Sequence, residues 1–315
     1  MLKSVRLAVF VCLILFPDVL CLGQDYLFTV IASSGKVLFS SKDRDNWTPL
    51  TAGSKLLRGD RIKLEDSCYL GLCYFNGRTL ELAGEGLYLA DALSDNLAGE
   101  NTSVTKKFTD FIMNEIIVKN KSKDMKYLSA VARQNLTYID KDFPSSTILI
   151  DSIVTFRWYP VKNTKVFAFR LMSPASRTVL LHEVQDTSVT VNISPLNLQP
   201  DSCYMWYVFD PENPALTSDS GCIRVPSMAY MKNIQDSLRE LKNDLTDEKS
   251  PLNQIIIATF FENNHMALNA LEHYDKALPY FNQIEEFQKK YILFLIKTGL
   301  FKRADIMMEK WNTAN

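Results

Sequence analysis

Apolar and polar side chains alternate on either side of an Asn-Gly pair in the stretch "SCYLGLCYFNGRTLEL", Ser67 to Leu82. The period of two over Tyr69–Phe75, and again over Thr79–Leu82, predicts two half-buried strands. Asn76-Gly77 predicts a two-residue type I′ turn between them, with positive φ at both central residues. Cys68 and Cys73 then lie five steps apart along one strand, on opposite faces. Their Cα atoms would be roughly 16 Å apart, whereas a disulfide spans about 4.4 to 6.8 Å. A zinc site would need, besides a C-x2-4-C spacing, further Cys or His nearby, and none is present. The two cysteines are therefore expected to be small apolar side chains in a hairpin.

Alternation returns between Thr147 and Val225 in five short runs, "IVTFRWYPV", "KVFAFRLM", "TVLLHEV", "SVTVNIS" and "CYMWYVFD". Turn residues separate them at the intervals of a β-sandwich. Cys203 and Cys222 flank "DPENPALTSDSG" on successive strands, so an antiparallel pairing can bring them together as a disulfide. After Pro226 the period changes: Met231, Ile234, Leu238, Leu241 and Leu245 form the apolar seam of a helix. Ser250-Pro251 supplies the cap and first position of the next one. Residues 93–146 read as a polar linker carrying one amphipathic helix (Phe108, Phe111, Ile112, Ile116, Ile117), expected to pack on a neighbouring β domain. The fold class that follows is multidomain: an all-β N-terminal module over residues 24–92, a β-sandwich middle domain over 147–226, and all-α C-terminal helical repeats over 227–315.

Three resemblances refine this layout. Val30, Gly35-Lys36-Val37, Trp47 to Leu50, Gly53, Leu57, Gly59-Asp60, Ile62 and the Asn-Gly turn before Leu80 and Leu82 resemble the FecR-type periplasmic domain over about residues 28–92. In its namesakes that compact β module is the extracytoplasmic part of a transmembrane anti-sigma regulator. Gly53 and Gly59 mark turns, and Asp60 can bond the turn backbone. Phe156-Arg157-Trp158, with Leu198 and Pro200 followed by Tyr204, resembles a fibronectin type III domain, an immunoglobulin-like sandwich being the alternative; the spacing fits a tyrosine corner, with Trp158 in the core. Aligning Pro251 with Glu285, a shift of 34 residues, places Ala258 over Ile292, Phe261 over Leu295 and Ala270 over Ala304, which resembles tetratricopeptide repeats. A plain bundle of helical hairpins would pack in the same way. The repeat reading implies a concave partner surface exposing Asn253, Thr259 and Glu262, with Ala258 and Ala270 in close helix packing.

Composition narrows the function. With 315 residues, 47% of them hydrophobic and 23% charged, the chain can bury a sizeable core. Lys+Arg 35 against Asp+Glu 36 leaves a formal net charge of −1, and no basic run forms a phosphate-binding stripe, so nucleic acid is not an expected partner. Lys3 and Arg6 precede an apolar run from Leu7 to Phe16, and small residues at Cys21 and Gly23 suit cleavage before Gln24: residues 1–23 read as a secretory signal peptide. The run falls short of the roughly 20 residues of a membrane span. Leu20 and Asp18 do not suit a lipoprotein signal at Cys21. Export would place the other four cysteines in an oxidising compartment. Sequons at Asn46, Asn101, Asn120, Asn135 and Asn192 would matter only in a eukaryotic secretory pathway.

His182, His265 and His273 are the only histidines, and none sits in a metal-binding or nucleophile-activating motif. His182 reads as a strand-end rim residue, the other two as repeat surface or groove. There is no Gly-rich phosphate loop. The expectation is an exported, non-enzymatic interaction or scaffold protein of the bacterial envelope, periplasmic or otherwise exported, with envelope proteins as partners. No catalytic, cofactor-binding or metal residues are expected, and no membrane span after signal cleavage. The alternatives are a component of a FecR-like envelope signalling pathway and a carbohydrate-binding accessory.

Overall fold

The computed structural model describes residues 26–42, 44, 46–95, 97, 107, 110–112, 138–245, 247–281 and 284–314. The expected signal peptide over residues 1–23, the sequons at Asn101, Asn120 and Asn135, and most of the amphipathic stretch lie outside the described residues. The N-terminal module has strands β1 (Phe28–Ser34), β2 (Val37–Ser40), β3 (Thr48–Pro49), β4 (Lys55–Leu56), β5 (Arg61–Leu64), β6 (Tyr69–Tyr74), β7 (Thr79–Ala83) and β8 (Gly86–Leu89), then a short helix α1 (Ala90–Ser94). They form two antiparallel sheets, ordered β4-β1-β6-β7 and β3-β2-β5-β8.

Strand β6 is buried on both faces, which is why its run reads as almost wholly apolar. Leu70, Leu72 and Tyr74 join the module's own core with Phe28, Val30, Ile62 and Leu64. The opposite face turns Cys73 and Tyr69 toward the C-terminal helices. Cys68 and Cys73 do not bridge, and the strand's pleat sends them into separate cores. The hairpin turn differs from the expected type I′. Tyr74 and Arg78 pair across a three-residue connection, Gly77 N–H donates to Tyr74 O at 2.9 Å, and of the Asn-Gly pair only Gly77 takes a positive φ, 100°. That is a type I turn closed by a left-handed glycine. Asn76 is held otherwise because its side chain is buried, Nδ2 donating to Leu97 O at 2.9 Å while Oδ1 accepts from Arg78 N–H at 3.0 Å.

The middle domain is a β-sandwich of β9 (Ser146–Ile148), β10 (Ile153–Arg157), β11 (Phe167–Met172), β12 (Thr178–Val184), β13 (Ser188–Asn192), β14 (Tyr204–Phe209) and β15 (Gly221–Arg224). A two-stranded sheet, β10-β13, faces a five-stranded one, β12-β11-β14-β15-β9, whose last pair is parallel. Trp206 sits at the centre with Phe143, Phe156 and Phe169 around it, 4.6–5.9 Å between ring centroids. Trp158 is in the same core. The Tyr204 hydroxyl accepts from Gln199 N–H at 2.8 Å, five residues upstream, which locks the turn as a tyrosine corner does. The domain begins before residue 147: Ile139 and Phe143 are fully buried in its core, so residues 138–146 belong to the sandwich rather than to a linker.

Helices α2 (Met228–Asp244), α3 (Pro251–Asn263), α4 (Ala267–Phe281), α5 (Glu285–Lys297) and α6 (Phe301–Ala314) complete the chain. Ile234, Leu241 and Leu245 of the α2 seam are buried, and Ser250 caps α3, accepting from Asn253 N–H with Pro251 in the first turn. The hairpins α3–α4 and α5–α6 repeat with a spacing of 34 residues, Pro251 to Glu285 and Ala267 to Phe301. Their turns repeat too. His265 (φ 58°) and Gly299 (φ 78°) occupy the same position, each followed by an N–H, of Met266 or Leu300, that reaches five residues back to Phe261 or Leu295. This is a Schellman cap, which favours glycine at its left-handed residue. His265→Gly is therefore expected to stabilise the fold by about 1 kcal/mol, read as a higher urea midpoint; a lower midpoint would show that the exposed imidazole makes a contact that matters more than backbone strain. Gly299 tolerates no such exchange in reverse, since an added Cβ would lie 2.2 Å from Ser145 Oγ.

Candidate functional site

The expected partner surface on the first helices of the repeats is interior. Ten consecutive residues of α3, Leu252 to Phe261, are buried, because the helix runs between its own hairpin partner and the N-terminal sheet. Asn253 is 2% exposed; its Oδ1 accepts from Thr79 Oγ1 at 2.7 Å and its Nδ2 donates to Asp247 O at 2.8 Å. Thr259, fully buried, donates to Ile255 O one turn back at 2.8 Å. Glu262 accepts from Lys290 Nζ at 2.8 Å, Lys297 Nζ at 2.9 Å and the Tyr274 hydroxyl at 2.9 Å. None of the three presents itself to a partner, because Ile31, Ala32 and Cys73 of the N-terminal sheet join α3 and α5 in one core. Ile112 of the amphipathic stretch enters the same core, and Phe111 lies beside Lys290, whose Nζ is 5.3 Å from the ring centre.

Three polar clusters tie the parts together. At the sheet–helix junction the Tyr69 hydroxyl donates to Glu81 Oε2 at 2.7 Å, and Tyr69 meets Phe287 edge-on. Burial raises the Glu81 carboxyl, opposed by bonds from Ser250, Tyr69 and the Leu252 backbone. Between the helices, burial of Glu262 is outweighed by Lys290 and Lys297, which hold its carboxyl below the usual range. At the sandwich–helix junction Arg303 grips Asp142 with two bonds, 3.0 and 3.1 Å, and also reaches Asp275, which accepts from the Tyr291 hydroxyl. Backbone bonds reinforce that junction: Ser145 N–H donates to Thr298 O and Ile148 N–H to His265 O, at 2.8 and 2.9 Å.

His182 is exposed on β12 and His265 forms the helix cap. His273 is half-buried, stacked on Phe261 with Nδ1 2.8 Å from Gln254 Oε1, and burial lowers its pKa to about 4. Among the described residues no group of three or more His, Cys, Asp or Glu could hold a metal ion, and no helix is long and apolar enough to cross a membrane. Cys203 and Cys222 are bonded, Cα–Cα 5.6 Å. Met205 is the register partner of Cys222, so the bridge runs diagonally across the β14–β15 pair.

No family model matches the chain, and no curated protein does. Among solved structures it is similar to FN3tt, 18% identical with a TM-score of 0.19, over 28% of this chain and 87% of that one. It is also similar to the FN1–FN3 domains of chicken CNTN1, 12% identical with a TM-score of 0.22, over 64% of this chain and 57% of that one.

Proposed function

We propose that the protein is an exported, non-enzymatic scaffold of the bacterial envelope whose work is to hold protein partners on a rigid frame. One observation carries this reading: buried polar side chains tie the N-terminal module, the sandwich and the helices to one another. Arg303 joins helix to sandwich, Thr79 bonds Asn253, and Tyr69–Glu81 lies against Phe287. Such ties set the relative positions of surfaces, which a scaffold needs. The N-terminal module is read as FecR-type on its turns: Gly53 and Gly59 take φ of 88° and 83°, and Asp60 Oδ2 accepts from Leu57 N–H at 2.8 Å. The helical pairs are read as tetratricopeptide-like on their 34-residue spacing and matching caps, although their concave side is filled from within. The middle domain is read as fibronectin type III-like on its tyrosine corner. The disulfide suits an oxidising compartment such as the periplasm.

The test is crosslinking in intact cells, followed by purification of the tagged chain under denaturing conditions. The scaffold reading expects discrete adducts with envelope proteins, in fixed ratio to the chain. Recovery of the unmodified chain alone, across crosslinkers of different reach, would sink it.

A further inference from the structure

The scaffold reading leaves open which surface meets the partner, and we propose that it is the outer face of the five-stranded sheet, centred on Arg170, receiving a protein segment that offers a carboxylate between apolar side chains. An antiparallel sheet with one face in water normally alternates apolar and polar residues. Strand β14 does not. Tyr204, Trp206 and Val208 are buried in the sandwich core, and the intervening Met205, Tyr207 and Phe209 face outward. In β11, Arg170, between the buried Phe169 and Leu171, and Met172, after them, take outward places. Register sets Leu181, Arg170 and Tyr207 in one row across three strands, with Met172, Met205 and Cys222 in another. Leu181 is 48% exposed and Met205 38%. Aromatic residues, Met and Arg, gathered on one face, are the composition enriched at protein–protein interfaces.

The charge defines the partner. The Arg170 guanidinium lies 5.1 Å from the Phe209 ring centre and 5.8 Å from that of Tyr207, and its Nη1 donates to the Tyr207 hydroxyl at 3.0 Å. Its Nε is buried with no acceptor. Among the described residues no carboxylate forms an ion pair with it; Glu183, outward one row away on β12, does not reach it. The stacking fixes the guanidinium plane, and such a plane favours a carboxylate that can accept in parallel bonds. A carboxylate arriving with apolar neighbours would complete the charge and cover Leu181 and Met205 together.

The proposal rests on the scaffold reading and is tested so that the two can fail separately. A photoreactive phenylalanine analogue is placed at Leu181 and, as a control on the N-terminal module, at Leu87, which is 68% exposed; the full chain is irradiated in its native cells. The expected result is a protein adduct from position 181 that falls at least tenfold in Arg170→Glu and in Arg170→Met. The latter keeps the packing of the side chain without its charge. Mass mapping should place the adduct next to an Asp or Glu, and replacing that residue by Arg should restore the adduct in the Arg170→Glu chain. An adduct with a second copy of this chain, one unaffected by both substitutions, or one mapped far from any carboxylate overturns the proposal. Adducts from position 87 alone would overturn this face and leave the scaffold; none from either position would count against both.

Discussion

Charge reversal at Glu262 is expected to unfold the helical region, with a loss above the roughly 3–5 kcal/mol of a broken buried ion pair, rather than to weaken partner binding on an intact fold. The side chain is 7% exposed and Lys290 is 2% exposed. Removing one member of a buried ion pair costs about 3–5 kcal/mol, because the other charge stays behind without its compensation. Glu262→Lys would do more, bringing a third ammonium up to Lys290 and Lys297 and removing the carboxylate that accepts from the Tyr274 hydroxyl. Glu262→Gln keeps the shape and is expected to lose less. The pH dependence separates charge from shape. Lys290 and Lys297 hold the Glu262 carboxyl below its ordinary value of 4.5 against the opposing effect of burial. Its contribution is therefore fully present above that value and is lost as pH falls through the lower folded pKa. Urea midpoints measured from pH 7 down to pH 3 should fall more steeply in the natural chain than in Glu262→Gln. An unchanged midpoint in Glu262→Lys, with reduced crosslinking to a partner, would return Glu262 to the surface.

The contrast between Glu262 and the strands shows where sequence pattern stops being informative. Alternation located the β6–β7 hairpin, and the 34-residue self-similarity located both helical hairpins, since each is a local periodicity. The turn at Asn76 escaped because the residue's side chain bonds Leu97, twenty-one positions away. The repeat template puts Asn253 on a surface, although "LNQIIIATFF" is apolar on every side of the helix, the mark of a helix buried all round. That signal was present. What covers α3 was not legible, since Thr79 meets Asn253 across 174 positions. Likewise "CYMWYVF" reads as one of the alternating runs of the sandwich, but only the register of β11, β12 and β14 gathers Arg170, Tyr207 and Leu181 on one face. Asp142 and Arg303, 161 positions apart, carry no local pattern at all.

Lys141→Met is expected to raise stability by about 3 kcal/mol at pH 7, a direction opposite to most core substitutions. Lys141 is 5% exposed. Its Nζ has Ser145 Oγ at 3.4 Å and stands 5.4 Å from the centre of the Trp206 ring. No described carboxylate lies within ion-pair distance, so Asp219 offsets only part of the desolvation. Burial lowers its pKa from 10.5 to about 8, and a difference of this size corresponds to about 3 kcal/mol by which the protonated folded form is disfavoured. Methionine has similar length, keeps contact with the aromatic ring, and carries no charge to desolvate. For the sign, an unfolded chain still binds the proton between about pH 8 and 10.5 while the folded chain has released it. Stability from this group therefore rises with pH across that window. The variant should lack that rise, so the gap between the two chains should be widest below pH 8 and close toward pH 10. Urea unfolding of both chains at pH 7, 8.5 and 10, followed by Trp fluorescence, measures it. A variant less stable than the natural chain at pH 7, or a gap that does not change with pH, would show that the ammonium is compensated in the fold and that the Ser145 and Trp206 contacts stabilise it more than burial opposes it.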